Sequence, residues 1–137
     1  MKVNLFVSSN IHEFSEERKL IKEEISKDPL LGEVFDVYLY EEDSSKSTSA
    51  DDVFINEVEH SDVYIGLIGS EYGDSYRNGV SATEYEYNAY SSNKTDSYFF
   101  VKNVYERDVS SNNFLARISQ NHNYKLFNNI LRNWSMK

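Results

Sequence analysis

Apolar residues along this chain fall into short runs separated by amphipathic stretches, and that alternation predicts its elements. Val3 to Val7 is a β-branched and aromatic run stopped by Ser8, Ser9 and Asn10, the pattern of a buried parallel strand. Asn10-Ile-His-Glu13 has the Asn-x-x-Glu form of a helix start, with Ser15 as a later cap. Phe14, Leu20, Ile21 and Ile25 then recur at helical spacing, while Glu16, Glu17, Arg18, Lys19, Lys22, Glu23 and Glu24 supply the wet face. This helix ends near Asp28, because Pro29 disfavours helix at the residue before it. Val34 to Tyr40 is the second strand, Val63 to Ile68 the third and most strand-like, and Ser97 to Val101 the fourth. Ser49 to Asp52 opens a short helix that buries Phe54, Ile55 and Val58, and Ser81 opens another running to about Ser91. Phe114, Leu115 and Ile118, then Phe127, Ile130, Leu131 and Trp134, return to helical spacing at the end of the chain.

Strands alternating with helices imply right-handed βαβ units and a parallel sheet. The expected fold is therefore α/β, a three-layer flavodoxin-like open parallel sheet of strand order 2-1-3-4 with flanking helices and C-terminal helices. The third strand, with helices on both sides in sequence, is expected at the centre. The 137 residues show no internal repeat and no linker, so residues 1–137 read as one domain, with 103–137 a helical extension on its core.

Composition narrows the class. With 39% hydrophobic residues, 15% aromatic residues and one proline, the chain is too apolar to stay disordered. It has no cysteine, which excludes disulfides, thiolate catalysis and cysteine-ligated metals. The Val3 to Val7 run is far shorter than the about 18 apolar residues of a membrane span, so a soluble, cytoplasmic protein is expected. Net charge is −9 but uneven: no acidic residue follows Asp108, so residues 109–137 carry +4 and residues 1–108 carry −13. The basic tail either docks on the acidic body or faces an anion outside it. Such an acidic body repels phosphate backbones, so nucleic acid is not an expected partner. His12, His60 and His122 share no ligand spacing, and no serine has a nucleophile-elbow context, so neither a metal site nor a Ser/His/Asp triad is expected.

Open α/β sheets bind ligands beyond the carboxyl ends of their strands, where the strand order reverses. Here the reversal lies between the first and third strands, which places Ser8, Ser9 and Asn10 beside Gly69, Ser70, Glu71, Tyr72 and Gly73. The polar loop Glu41 to Ser49 and the helix start at Ser81 share that rim. Ser81-Ala-Thr-Glu84 is a capping box, whose glutamate returns to the backbone N–H of the cap residue. A carboxylate there could equally act as nucleophile, or stabilise an oxocarbenium-like centre in N-glycosidic cleavage. Glu84 is thus the catalytic candidate with two jobs open to it, and Glu86, about 200° around the helix, is the weaker one. Tyr72, Tyr76 and Tyr85 could stack on a base. Gly69 and Gly73 suit a turn, and neither phosphate-loop fingerprint occurs.

Three blocks carry a family resemblance: VNLFVSSNIHEFSEERKLIKEE over Val3 to Glu24, SDVYIGLIGSEYG over Ser61 to Gly73, and SATEYEYNA over Ser81 to Ala89. In order and spacing they resemble the domain of unknown function 4062 (DUF4062) family, over about residues 3 to 102. Domains of that family are similar in fold to Toll/interleukin-receptor (TIR) domains and to nucleoside 2-deoxyribosyltransferases. The resemblance implies a TIR-like nucleotide-binding or nucleotide-processing domain, with Glu84 as the catalytic residue and Ser8 and Ser9 at the nucleotide pocket; the converging rim adds Asn10, Gly69, Tyr72 and Ser81 as ligand-binding residues. NAD or a nucleoside would then be the substrate and no cofactor would be needed. Whether the chain is an enzyme stays open. If it is one, NAD glycohydrolase or deoxyribosyltransferase-like chemistry is implied, in a defence or signalling protein. The alternative is a non-catalytic sensor that self-associates and relays to a downstream domain, this chain being the N-terminal part of a longer protein. Two departures stand out: Ala82-Thr83 replaces the Trp-Cys of many TIR enzymes, and Tyr85-Glu86 replaces the glycine after the deoxyribosyltransferase glutamate.

Overall fold

A computed structural model describes residues 2–43, 56–91 and 96–128 of the chain, the Arg77 side chain excepted. Its elements are β1 (Val3–Ser8), α1 (Ser15–Lys27), α2 (Leu31–Val34), β2 (Phe35–Tyr38), β3 (Val63–Ile68), β4 (Ser75–Arg77), β5 (Val80–Ser81), α3 (Ala82–Ser91), β6 (Asp96–Lys102), α4 (Val109–Ser119) and β7 (Tyr124–Phe127). Residues 56–59 are also helical. Five strands form one parallel sheet in the order β2-β1-β3-β6-β7, with β3 at the centre. Helices cover both faces, giving the flavodoxin-like three-layer fold that the strand and helix alternation predicts.

Side-chain alternation along the strands divides the core in two. Leu5, Val7, Val37 and Leu67 point to one face and pack with Phe14, Ile21 and Ile25 of the α1 side. Phe6, Tyr64, Ile68, Phe99 and Val101 point to the other, against Tyr87 and Tyr90 of α3 and Phe114 and Ile118 of α4. This second layer is largely aromatic, with Tyr64 stacked on Tyr90 at 4.3 Å between ring centroids. Fully burying one such large side chain is worth about 1.5–3 kcal/mol, so the sheet is anchored firmly where β1 and β3 run side by side.

Four local differences from the sequence reading have clear causes. Helix α1 starts at Ser15, because Asn10 Oδ1 accepts from the His12 and Glu13 N–H groups and holds a turn there instead. Glu17 and Arg18 belong to the interior and not to the wet face, being 8% and 2% exposed. A fifth strand, β7, extends the sheet where Phe127 was expected in a helix; its backbone pairs with β6, and the Phe127 side chain packs near Phe14. Residues 75–81 form a hairpin whose two-residue turn, Asn78 and Gly79, has φ of +55° and +76°, the type I′ signature. The expectations for Ser44 to Ile55, and for Ile130, Leu131 and Trp134, lie outside the described residues. Among the described residues no helix is long and apolar enough to cross a membrane.

Candidate functional site

The carboxyl ends of β1 and β3 open a cleft of about 330 Å³ at the reversal of strand order. One wall is the turn after β1, with Ser9, Asn10, Ile11 and His12. The facing wall is the loop after β3, with Tyr72, Gly73, Asp74 and Tyr76. Ser81, Ala82 and Thr83 at the start of α3 form the floor beside Glu86, and Tyr40 reaches in from the end of β2. No Lys or Arg is among these described lining residues, whereas two carboxylates and three tyrosines are.

Both walls are braced by polar contacts, several of them buried. At the end of β1, Arg18 Nη1 donates to the Val7 carbonyl and to Ser9 Oγ, both at 3.0 Å. Its Nε and Nη2 grip the two oxygens of Glu41 at 2.8 Å, a bidentate pair that ties α1, β1 and the segment after β2 together. Across the cleft, the Glu13 carboxylate accepts from the Ser70 and Glu71 N–H groups and from Ser70 Oγ at 2.8–2.9 Å. Glycine at position 69 leaves room for this carboxylate, since a Cβ would lie 2.3 Å from a Glu13 oxygen and push it off these donors. From the other side, Arg107 Nη1 and Ser111 Oγ donate to the Gly69 carbonyl at 2.6 and 2.8 Å. Asp108 caps α4 through the Ser111 N–H and accepts from the Tyr72 N–H with its second oxygen. Gly73 adopts φ +92° against Asn10, whose amide would sit 3.1 Å from a Cβ.

Glu86 is the buried acid of the cleft. It is 6% exposed, and its Oε1 accepts from Ser8 Oγ at 2.7 Å. No described group donates to its other oxygen, and the residue lines the cavity. Burial raises its carboxyl from 4.5 to about 7, against the Ser8 hydrogen bond and the Arg18 charge, which pull it down; Glu41 adds to the rise. An acid poised near neutrality in a cavity at a strand-order reversal has the properties of a general acid, base or electrostatic stabiliser.

Glu84 faces elsewhere. Its Oε1 accepts from the Tyr72 hydroxyl at 2.5 Å and its Oε2 from Arg117 Nη1 at 2.6 Å. It lines a separate hollow of about 300 Å³ with Gly79, Ser110, Asn113, Phe114, Arg117 and the back of Tyr72. Half of the capping box forms, since Ser81 Oγ accepts from the Glu84 N–H at 3.2 Å. The Ser81 N–H, which the glutamate would take in the standard box, donates to the Tyr72 hydroxyl oxygen at 3.1 Å instead.

Of the residues expected at a ligand, Ser9, Asn10, Tyr72 and Ser81 thus line one cleft. Ser8 lies fully buried beneath it as the partner of Glu86, and Gly69 contributes backbone geometry. Glu84 opens on the hollow behind Tyr72. The sequence does carry a signal for Glu86: Thr83, Glu86, Tyr87 and Tyr90 recur at helical spacing and are all buried, so Glu86 is a charge on the apolar stripe of α3. Among the described residues no group of three His, Asp or Glu side chains could hold a metal ion.

The family described as "Domain of unknown function (DUF4062)" matches residues 4–135, a span that runs on through the Asn-rich tail beyond residue 102. Comparison with curated proteins finds none that matches.

Proposed function

The chain belongs to the DUF4062 family, and on that premise we propose that its cleft binds the ribosyl part of NAD or of a free nucleoside and cleaves the N-glycosidic bond, with Glu86 at the anomeric carbon. The observation that carries this reading is the Glu86 carboxylate, buried, with one oxygen held by Ser8 and the other without a described donor, in the lining of the cavity.

In this reaction the C1′–N bond breaks and its electron pair leaves with the base nitrogen. The ionised Glu86 stabilises the ribosyl cation or forms an ester with C1′. Water then supplies the hydroxyl to C1′, displacing the Glu86 carboxylate where an ester has formed; its proton goes to the departing base of a nucleoside, or to solvent in the case of NAD, whose nicotinamide leaves as a neutral ring. Preorganisation is what the protein supplies, because Ser8 aims the carboxylate and burial magnifies its field on a developing positive charge. Ser9, Asn10 and Ser81 offer hydrogen bonds to sugar hydroxyls, and the rings of Tyr72, Tyr76 and Tyr40 offer faces to a base. A carboxylate-rich, tyrosine-lined cleft favours the ribose and a positively charged base over a free phosphate.

The test is release of base from NAD and from a panel of ribo- and deoxyribonucleosides by the purified chain, followed by chromatography, with Glu86→Gln and Glu84→Gln alongside. Glu86→Gln is expected to keep the fold and lose turnover by at least about 100-fold, the scale of one essential acid–base group. Wild-type binding without base release would support a non-catalytic sensor using the same cleft. Wild-type protein that neither binds nor cleaves any of these compounds would overturn both.

A further inference from the structure

Among the described residues, Tyr72 alone lines both the cleft and the hollow that holds Glu84 and Arg117. Its backbone N–H is fixed by Asp108, and its ring meets Phe114 edge-on at 6.2 Å. Its hydroxyl stands between Ser81, just before α3, and Glu84, in its first turn: it accepts from the Ser81 N–H and donates to Glu84 Oε1. The capping box at the start of α3 is therefore closed through a tyrosine from the opposite wall of the cleft.

The direction of these bonds follows from charge. Arg117 Nη1 pairs with Glu84 Oε2, its other terminal nitrogen donates to Asn88, and its guanidinium lies 5.1 Å from the Tyr87 ring centroid. The Glu84 carboxylate offers acceptor oxygens, one of them already taken by the guanidinium, and the Ser81 N–H can only donate, so the phenolic proton of Tyr72 points at Glu84. The Ser81 N–H consumes one acceptor site on the same hydroxyl. Any ligand atom that reaches the Tyr72 oxygen then meets an acceptor and never a donor.

We propose that Glu84 is a positioning residue for the cleft: braced by Arg117, it locks the Tyr72 wall to the helix start at Ser81 and fixes the Tyr72 hydroxyl as an acceptor toward the ligand. The ligand group opposite Tyr72 is accordingly a hydrogen-bond donor, such as a sugar hydroxyl or an amino group, and a bare carbonyl is disfavoured there. The functional half of this inference rests on the cleft being the binding site, whereas the lock itself is a property of the free protein.

Two measurements separate the parts. In the free chain carrying 13C-labelled tyrosine, the Tyr72 phenol of the wild type is expected to titrate above the ordinary tyrosine range, through burial and the bond to Glu84. Glu84→Leu is expected to lower that titration and to speed amide exchange at Ser81 by at least about tenfold, as a lost hydrogen bond of about 1.4 kcal/mol would. Glu86→Gln is expected to change neither. An unaltered Tyr72 titration and Ser81 exchange in a folded Glu84→Leu chain would overturn the lock, whatever the protein binds.

The second measurement is a double-mutant cycle with NAD and adenosine as probes, by calorimetry. Glu84→Leu is expected to weaken the probe that binds wild type by about tenfold, and to have no further effect in a Tyr72→Phe background. An equal loss in both backgrounds would show Glu84 acting directly and overturn its positioning role. If wild type binds neither probe, the binding-site reading fails, and the titration still decides the lock.

Discussion

Glu86 makes its own ionisation work against the fold, and that gives a prediction with a definite sign. Its carboxyl rises from 4.5 in the exposed chain to about 7 in the folded one, chiefly through burial. Between those values the folded protein binds more protons than the unfolded, so stability falls as pH rises through the interval and levels off above it. At about 1.4 kcal/mol per pH unit, the full effect is about 3 kcal/mol, a large share of the 5–15 kcal/mol typical of a domain. Glu86→Gln keeps an acceptor for Ser8 and removes the charge. The variant should therefore match wild type near pH ~4 and exceed it by about 3 kcal/mol above pH ~8. Urea unfolding of both proteins across that range measures this, and the difference between the two curves cancels the other titrating groups. A difference that is flat with pH, or a variant less stable than wild type at high pH, would refute the account of a buried, poorly compensated carboxylate.

Three other outcomes follow from the same geometry. Ser8→Ala removes the hydrogen bond that favours the ionised Glu86, so the fall in stability should extend to higher pH than in wild type, read from the same difference curve. Arg18→Ala removes the guanidinium that donates to Glu41, Ser9 and the Val7 carbonyl, and should cost about 3 kcal/mol by denaturant unfolding, near the lower end for a broken buried pair because Glu41 is partly exposed. Gly69→Ala forces a methyl group against the Glu13 carboxylate and should cost about 1–3 kcal/mol, with the penalty shrinking in a Glu13→Ala background where the clash is gone.

Much of the fold was legible because the sheet is buried on both faces. Val3 to Val7, Val63 to Ile68 and Ser97 to Val101 are short apolar runs between polar stops, and each becomes a strand within a residue or two. The same logic explains β7, which was missed: Tyr124, Lys125 and Leu126 are exposed and only Phe127 is buried, so an edge strand carried no apolar run to find. The hairpin at residues 75–81 was legible in principle, since Asn78-Gly79 is a strong two-residue turn signal between Tyr76 and Val80. Arg18 was read as surface because a charge pattern cannot reveal a partner 23 residues away, and it is Glu41 that makes burying a guanidinium tolerable.

The two glutamates of α3 show where local rules stop. The capping box correctly located the helix start and the Ser81 bond to the Glu84 N–H. It could not anticipate that Tyr72 would take the returning bond, nor that Arg117 from α4 would draw the carboxylate away, because both come from other elements. About 200° around the helix, the face bearing Glu86 turns inward with Tyr87 and Tyr90, and there a carboxylate has no bland surface role. Family membership sharpens the setting without supplying the chemistry, so the reaction rests on the site alone.

The central claim is that a ribosyl ligand meets the Glu86 oxygen to which no described group donates. The most direct measurement is a carboxyl 13C titration of Glu86 by NMR, in the free chain and with saturating NAD or whichever nucleoside binds. The account predicts a midpoint near the about 7 expected for the free protein, falling by about one unit or more when ligand hydroxyls or a positive base face the carboxylate. A bound ligand that leaves the Glu86 titration unchanged, while perturbing residues elsewhere, would contradict it.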